Sequence, residues 1–167
     1  CEITVRKLRP RINQKSLIGG LEMITIRPYE SGDLDSLTVL MTDLGSPSSS
    51  DEMKERMKLI ESQSNYFTFV AVVNNKVVGM IGLRQNFTYT SNKIKTQISA
   101  FVTKKEYQGQ GIGKALIQYA EEWTNSNGSD FLYLTSGLKE ERTNAHEFYK
   151  KNGFEITGYR FVKRIKL

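Results

Sequence analysis

Residues 106–116 read EYQGQGIGKAL. Glycines stand at the alternate positions Gly109, Gly111 and Gly113, and Lys114 follows. Apolar residues then recur at Ile112, Ala115, Leu116, Tyr119, Ala120 and Trp123. That spacing marks one face of a helix reaching Ser126. Upstream, Gln97 to Thr103 reads as a strand. The glycine loop therefore joins a strand to a helix. A helix N-terminus carries free amide donors and partial positive charge, so this junction suits an anion. Glycine lets the backbone approach a phosphate with no β-carbon between them. A helix start that merely needs glycine for its turn would look the same.

Spacing separates the phosphate loops. A Walker A loop requires G-x-x-x-x-G-K-[ST]. Here Gly109 and Gly113 are one residue too close, and Ala115 stands where the magnesium-binding hydroxyl belongs. A dinucleotide fingerprint requires G-x-G-x-x-G. Counted from Gly109 its last glycine is Lys114, and counted from Gly111 it is Leu116. Both nucleotide readings fail on residue identity.

The remaining pattern is Gln108-x-x-Gly111-x-Gly113. It resembles the Q/R-x-x-G-x-G/A acetyl-CoA loop of the GNAT superfamily of N-acetyltransferases. A second block, Ala145-His146-Glu147-Phe148-Tyr149-Lys150-Lys151-Asn152-Gly153-Phe154, is similar to the family's A-x-x-F-Y-x-x-x-G-F segment. The resemblance implies acetyl transfer from acetyl-CoA to an amine acceptor, by direct attack in a ternary complex. It makes Gln108, Gly109, Gln110, Gly111, Ile112, Gly113 and Lys114 the cofactor loop and places the pyrophosphate on the amides from Gly109 to Lys114. Lys114 would add charge there or stand solvated. The thioester carbonyl and the pantetheine arm would meet a splayed, bulged strand end at Phe101, Val102 and Thr103. Tyr149 matches the family's general acid. Seven residues before it the family often has an asparagine, where this chain has Arg142. Arg142 then faces either the cofactor's phosphates or solvent, and Asn144 is close by but out of register. The base is not settled by sequence. Glu106, Glu140 and Glu141 qualify by position only, and His146 reads better as a structural or exposed histidine. A different class on the same fold, a non-catalytic acyl-CoA-binding or regulatory module, would also bind CoA.

The other segments fit an α/β (α+β) fold. Ile24–Pro28 reads as a short strand ended by proline. Ser31 is placed to cap a helix with Asp33 and Asp35 in its first turn and Leu34, Leu37, Leu40 and Met41 as its buried stripe. Acidic residues Asp33, Asp35, Asp51 and Glu52 would favour a cationic acceptor or, more simply, serve as helix N-terminal charges. Ser49 with Glu52 forms a capping-box pattern for a polar second helix. Phe67–Val73 and Val77–Leu83 read as a hairpin around Asn74-Asn75. Trp123 and the aromatics of Phe67–Val73 read as core. Phe131–Leu134 is a further strand, Asn144–Asn152 a helix, and Glu155–Val162 a last strand. The family fold implies a mixed, mostly antiparallel central sheet flanked by helices and splayed at the acetyl-CoA site.

Composition is that of a globular domain: 167 residues, 38% hydrophobic and 25% charged. No apolar run is long enough to span a bilayer, so no membrane partner is expected. One cysteine and one histidine argue against a metal site and against an internal disulfide. That cysteine usage fits a cytoplasmic location. The net charge is +6. Five basic and two acidic residues fall in residues 1–22, so the remaining body carries only half of that charge and no nucleic acid is expected as a partner. Residues 1–22, ending near the joint Gly19-Gly20, read as an N-terminal extension, natural or appended. Residues 23–167 read as a single N-acetyltransferase domain. Dimers are common in the family, so a homodimer is the oligomer suggested by analogy.

Overall fold

The computed structural model describes residues 14–18 and 22–166. The joint Gly19-Gly20 and residues 1–13 lie outside the described residues. The elements run β1 (Gln14–Ile18), β2 (Glu22–Pro28), α1 (Leu34–Leu44), α2 (Ser50–Glu61), β3 (Tyr66–Val73), β4 (Lys76–Thr88), β5 (Ser91–Thr103), α3 (Ile112–Ser126), β6 (Leu132–Leu134) and α4 (Thr143–Lys151). The six strands form one sheet in sequential order, β1 to β6. Every neighbouring pair is antiparallel except β5 with β6, which run parallel. This is the mixed, mostly antiparallel sheet that the sequence implied. Strand β1 lies inside the segment read as an extension, and it pairs with β2 along the sheet's edge.

Helices cover both faces. On one face α3 buries Ile112, Leu116, Tyr119 and Trp123 against Phe69, Ala71, Ile81 and Leu83. Trp123 stacks near Phe67, with ring centroids 4.6 Å apart, and so belongs to the core as read. Each large side chain buried here is worth roughly 2–3 kcal/mol of transfer free energy. On the other face α1 and α2 bury Leu37, Leu40, Met53 and Met57 against Val70, Met80 and Val102. Alternation along β3 divides the two sets, since Phe69 and Ala71 face α3 while Val70 faces α1. The hairpin turn holds Asn74 and Asn75 at φ 48° and 61°, the doubly left-handed geometry that tight hairpins require.

Two expectations are corrected. Ser31 does not cap α1. It opens a short 3-10 turn, Ser31–Asp33, whose N-cap is Glu30, and α1 follows at Leu34. The reason is Arg27. Its guanidinium donates to both carboxylate oxygens of Asp33, at 2.7 and 2.8 Å, and the Glu30 N–H also donates to Asp33. The second correction is the last strand. Residues 155–162 have no regular secondary structure and are exposed. Strand propensity is present there, but no strand beside it supplies a ladder.

Candidate active site

The site begins with a mismatch in the β4–β5 ladder. Gly82 pairs with Ala100 and Leu83 with Ile98, which leaves Ser99 as a bulged residue on β5. The bulge resets the alternation. Ile98 and Phe101, three residues apart, both pack toward α3, while Ala100 and Val102 pack toward α1 and α2. The parallel ladder to β6 reaches Ile98 opposite Leu134 and goes no further. Bulge and ladder end coincide, so β5 and β6 diverge from that point.

Backbone direction past the bulge follows from one hydrogen bond. The Lys104 N–H donates to the Val78 carbonyl at 2.7 Å, on the β4 side. Strand alternation then turns the Val102 peptide toward β4 and those of Phe101 and Thr103 toward the opening. The Val102 side chain is buried beneath α1 and α2. Of the three strand residues singled out from sequence, two thus present backbone groups to the splay, and the third anchors the strand.

The glycine loop follows directly. Lys105–Tyr107 form a 3-10 turn, tied by the Lys105 N–H to the Asp43 carboxylate at 3.4 Å. Gln108, Gly109, Gln110, Gly111 and Lys114 are exposed, while Ile112 is buried in the core. The three glycines have different duties. Gly109 and Gly111 sit at φ 77° and 86°, a backbone region that side chains disfavour. Gly113 has ordinary backbone, but a β-carbon there would come 3.2 Å from Phe148 and 3.4 Å from Phe101. It is small so that α4 and β5 can close on α3. Gly111 is the N-cap of α3 and offers no side-chain bond to it. The first helical bond is from the Ala115 N–H to the Gly111 carbonyl at 3.0 Å, so the amides of Ile112, Gly113 and Lys114 have no partner further up the helix.

Tyr149 completes the cluster. Its ring is 6.2 Å from Phe101, 5.7 Å from Phe148 and 5.8 Å from Phe154. Burial raises its pKa above the ordinary phenol value, and the nearby Arg142 charge pulls the other way. The phenol is therefore protonated throughout the neutral range. Arg142 is exposed at the N-cap of α4, and Asn144 is exposed on its first turn. The fold thus gathers Phe101, Thr103, Gly109–Lys114, Arg142 and Tyr149 around the end of β5.

The remaining candidates fall elsewhere. His146 Nε2 lies 2.8 Å from the Gly137 carbonyl and 3.2 Å from the Ser136 hydroxyl, pinning the β6–α4 connection to α4. The sequence reads it as a structural or exposed histidine, and these two contacts give it a structural role. Glu106 and Glu140 are exposed. Asp33 is spent on Arg27, which together with the Glu30 N–H holds its carboxyl below the usual range. Glu52 is spent on the α2 cap. Neither is a free charge for an acceptor. Sequence reasoning missed Ser99; the only trace was the three-residue spacing of Ile98 and Phe101.

A mixed sheet that opens beside a bare helix N-terminus can seat an extended ligand with an anionic group. The sequence pattern of the acetyltransferase (GNAT) family matches residues 34–154. The chain belongs to that family. It is similar to an aminoalkylphosphonate N-acetyltransferase of Salmonella typhimurium, at 32% identity over 58% of this chain and 61% of that one. The chain thus matches less than two thirds of that relative's length. A GNAT family acetyltransferase of Staphylococcus aureus superposes with a TM-score of 0.74 at 27% identity, covering 85% of this chain and 98% of that one. An aminoglycoside N-acetyltransferase in complex with CoA shares the fold, with a TM-score of 0.75 at 16% identity over 90% of this chain and 100% of that one. The N-acetyltransferase homologues support acetyl transfer to an amine. No helix among the described residues is long and apolar enough to cross a membrane.

Proposed function

We propose that this protein transfers the acetyl group of acetyl-CoA to a primary amine of a small molecule or protein, by direct attack in a ternary complex. The observation that carries the reading is the coincidence at the end of β5. The bulge at Ser99 adjoins the end of the β6 ladder at Ile98, and the same strand leads through Thr103 to the uncapped start of α3 at Gly111. The pyrophosphate is assigned to the amides of Gly109–Lys114, with Gln108 and Gln110 on the same loop. The peptides of Phe101 and Thr103 bond the pantetheine arm as a strand would and polarise the thioester carbonyl. Arg142 and Asn144 flank the arm from α4. The thioester supplies an activated acetyl group, and the Tyr149 phenol donates a proton to the departing thiolate. A neutral amine attacks, after losing its proton to water or to a carboxylate. We assign the catalytic domain to residues 23–167, with residues 1–22 as an extension, and the location to the cytoplasm.

Calorimetry with acetyl-CoA, followed by thiol release across a panel of amines, tests the proposal. Binding with turnover on at least one amine supports it. Binding without turnover across a broad panel replaces it with an acyl-CoA-binding module. Tyr149→Phe should lower kcat by about 100-fold while leaving acetyl-CoA affinity within about twofold. Unchanged kcat, with chemistry shown to be rate-limiting, removes Tyr149 from the mechanism.

A further inference from the structure

Strands β3 to β6 set Tyr66, Arg84, Gln97 and Tyr133 directly opposite one another, in one row across the sheet. Their strand neighbours Phe67, Leu83, Ile98 and Leu134 pack toward α3, so the row faces the side of α1 and α2. The last turn of α2 reaches it at Ile60 and Glu61, which line a pocket with Tyr66 and Thr68. All four side chains of the row are only half-buried. Hydrogen bonds hold them in place. Arg84 Nε donates to the Asn86 side-chain oxygen at 2.7 Å, and Nη1 donates to the Tyr66 hydroxyl at 3.3 Å. The guanidinium also lies 5.6 Å from the Tyr66 ring centroid. Asn86 in turn donates to the Gln97 side-chain oxygen at 3.3 Å and to the Tyr133 hydroxyl at 2.9 Å.

This network fixes the guanidinium without neutralising it. Its Nη2 end makes no bond to the described residues, and no carboxylate among them lies within 4 Å of it. Glu61 stands beyond Tyr66, in the pocket beside Tyr29. Lys95, opposite Asn86, adds a second positive charge and lies over the Phe131 ring. Asp33 and Glu52, which would have drawn a cationic acceptor, are spent elsewhere. A rigid, half-buried guanidinium with free N–H groups matches the paired oxygens of a carboxylate or phosphonate.

The row also leads to the proposed transfer site. Gln97 precedes Phe101 by four residues, roughly 13 Å of strand. The floor between is made of small residues, Gly82, Ser99 and Ala100, and the Ser99 hydroxyl is turned onto the Gly82 carbonyl at 3.2 Å. On the α3 side Phe101 stacks against Phe148 with centroids 5.7 Å apart, so the free approach to the opening is along this row. We propose that Arg84 is a specificity-determining residue of the acetyl transfer. It binds a carboxylate or phosphonate at the far end of an elongated acceptor whose amine reaches the opening beside Phe101. Asn86 and Tyr66 are positioning residues for it. The inference rests on the proposed function and names the chemical class of its acceptor.

The test compares ω-aminoalkanoates of graded chain length with the carboxamides and phosphonates of the same amines. Calorimetry on the CoA-bound protein reads binding, and thiol release from acetyl-CoA reads turnover. Some chain length should show an anion bound about 30-fold more tightly than its carboxamide, with KM lower by a similar factor. Preference for either anion supports the proposal and names the group. Arg84→Gln should bring the ratio of anion to carboxamide near one, through KM more than kcat. Arg84→Lys keeps the charge without the fork and should retain part of the preference. A parent that binds anion and carboxamide equally at every length overturns the proposal. So does an Arg84→Gln variant that weakens both alike, as a merely structural arginine would. Anion binding that depends on Arg84 without any thiol release upholds the anion site and removes the acetyl-transfer reading instead.

Discussion

Helix α2 starts with Ser49, whose hydroxyl accepts the Glu52 N–H at 3.2 Å, while the Glu52 carboxylate accepts the Ser49 N–H at 2.8 Å. Helix α3 starts with Gly111, which has no side chain to offer. Both helices carry the same orphan amides and the same positive end. One satisfies them from its own sequence, and the other leaves them to something outside the chain. The turn before α1 resembles α2 in this respect, since Asp33 is consumed by Arg27 and by the Glu30 N–H. Where a helix start serves stability, its acceptor is built in. At α3 no acceptor is built in and glycine holds the turn, which leaves its amides open for the proposed pyrophosphate.

The contrast can be broken at the self-sufficient ends first. Arg27→Ala leaves the buried Asp33 carboxylate without its partner and should cost about 3 kcal/mol in denaturant unfolding. The same pair predicts acid sensitivity. The folded pKa of Asp33 lies below its unfolded value, so its stabilisation is present above about pH 4 and lost as pH falls through the depressed value. Arg27→Ala should therefore flatten the acid limb of a stability profile. Ser49→Ala should cost about 1 kcal/mol of stability and leave acetyl-CoA binding unchanged. At the open end, Lys114→Ala should weaken acetyl-CoA binding only about threefold, and less at high salt, because an exposed charge is screened. Unfolding of that variant should match the parent.

The sequence revealed most where structure is local. The α3 stripe from Ile112 to Trp123, the capping box at Ser49 and the Asn74-Asn75 hairpin depend on residues a few positions apart, and all form as read. Features that depend on a distant partner were hidden. Residues 155–162 have the composition of a strand, but pairing needs a neighbour that composition does not supply. The role of Asp33 needed Arg27 from another element. The bulge at Ser99 needed the register of β4, and with it came the distinction between Val102, locked into the ladder, and Phe101 and Thr103, facing the opening. For the glycine loop, spacing excluded two nucleotide loops, and the family resemblance supplied acetyl-CoA as the expected ligand. Only the fold separated Gly111, required by its φ, from Gly113, required by Phe148.

The central claim is that the bare start of α3 holds the pyrophosphate of acetyl-CoA. Gly111→Val tests it, because a β-carbon there meets no atom within 4 Å and acts only through the left-handed φ of 86°. Calorimetry should compare acetyl-CoA with acetyl-pantetheine, which lacks the pyrophosphate, on both proteins. The account predicts that the variant loses about 100-fold in affinity for acetyl-CoA and little for acetyl-pantetheine, with a melting curve that still shows a folded protein. Equal affinity of parent and variant for acetyl-CoA would contradict it.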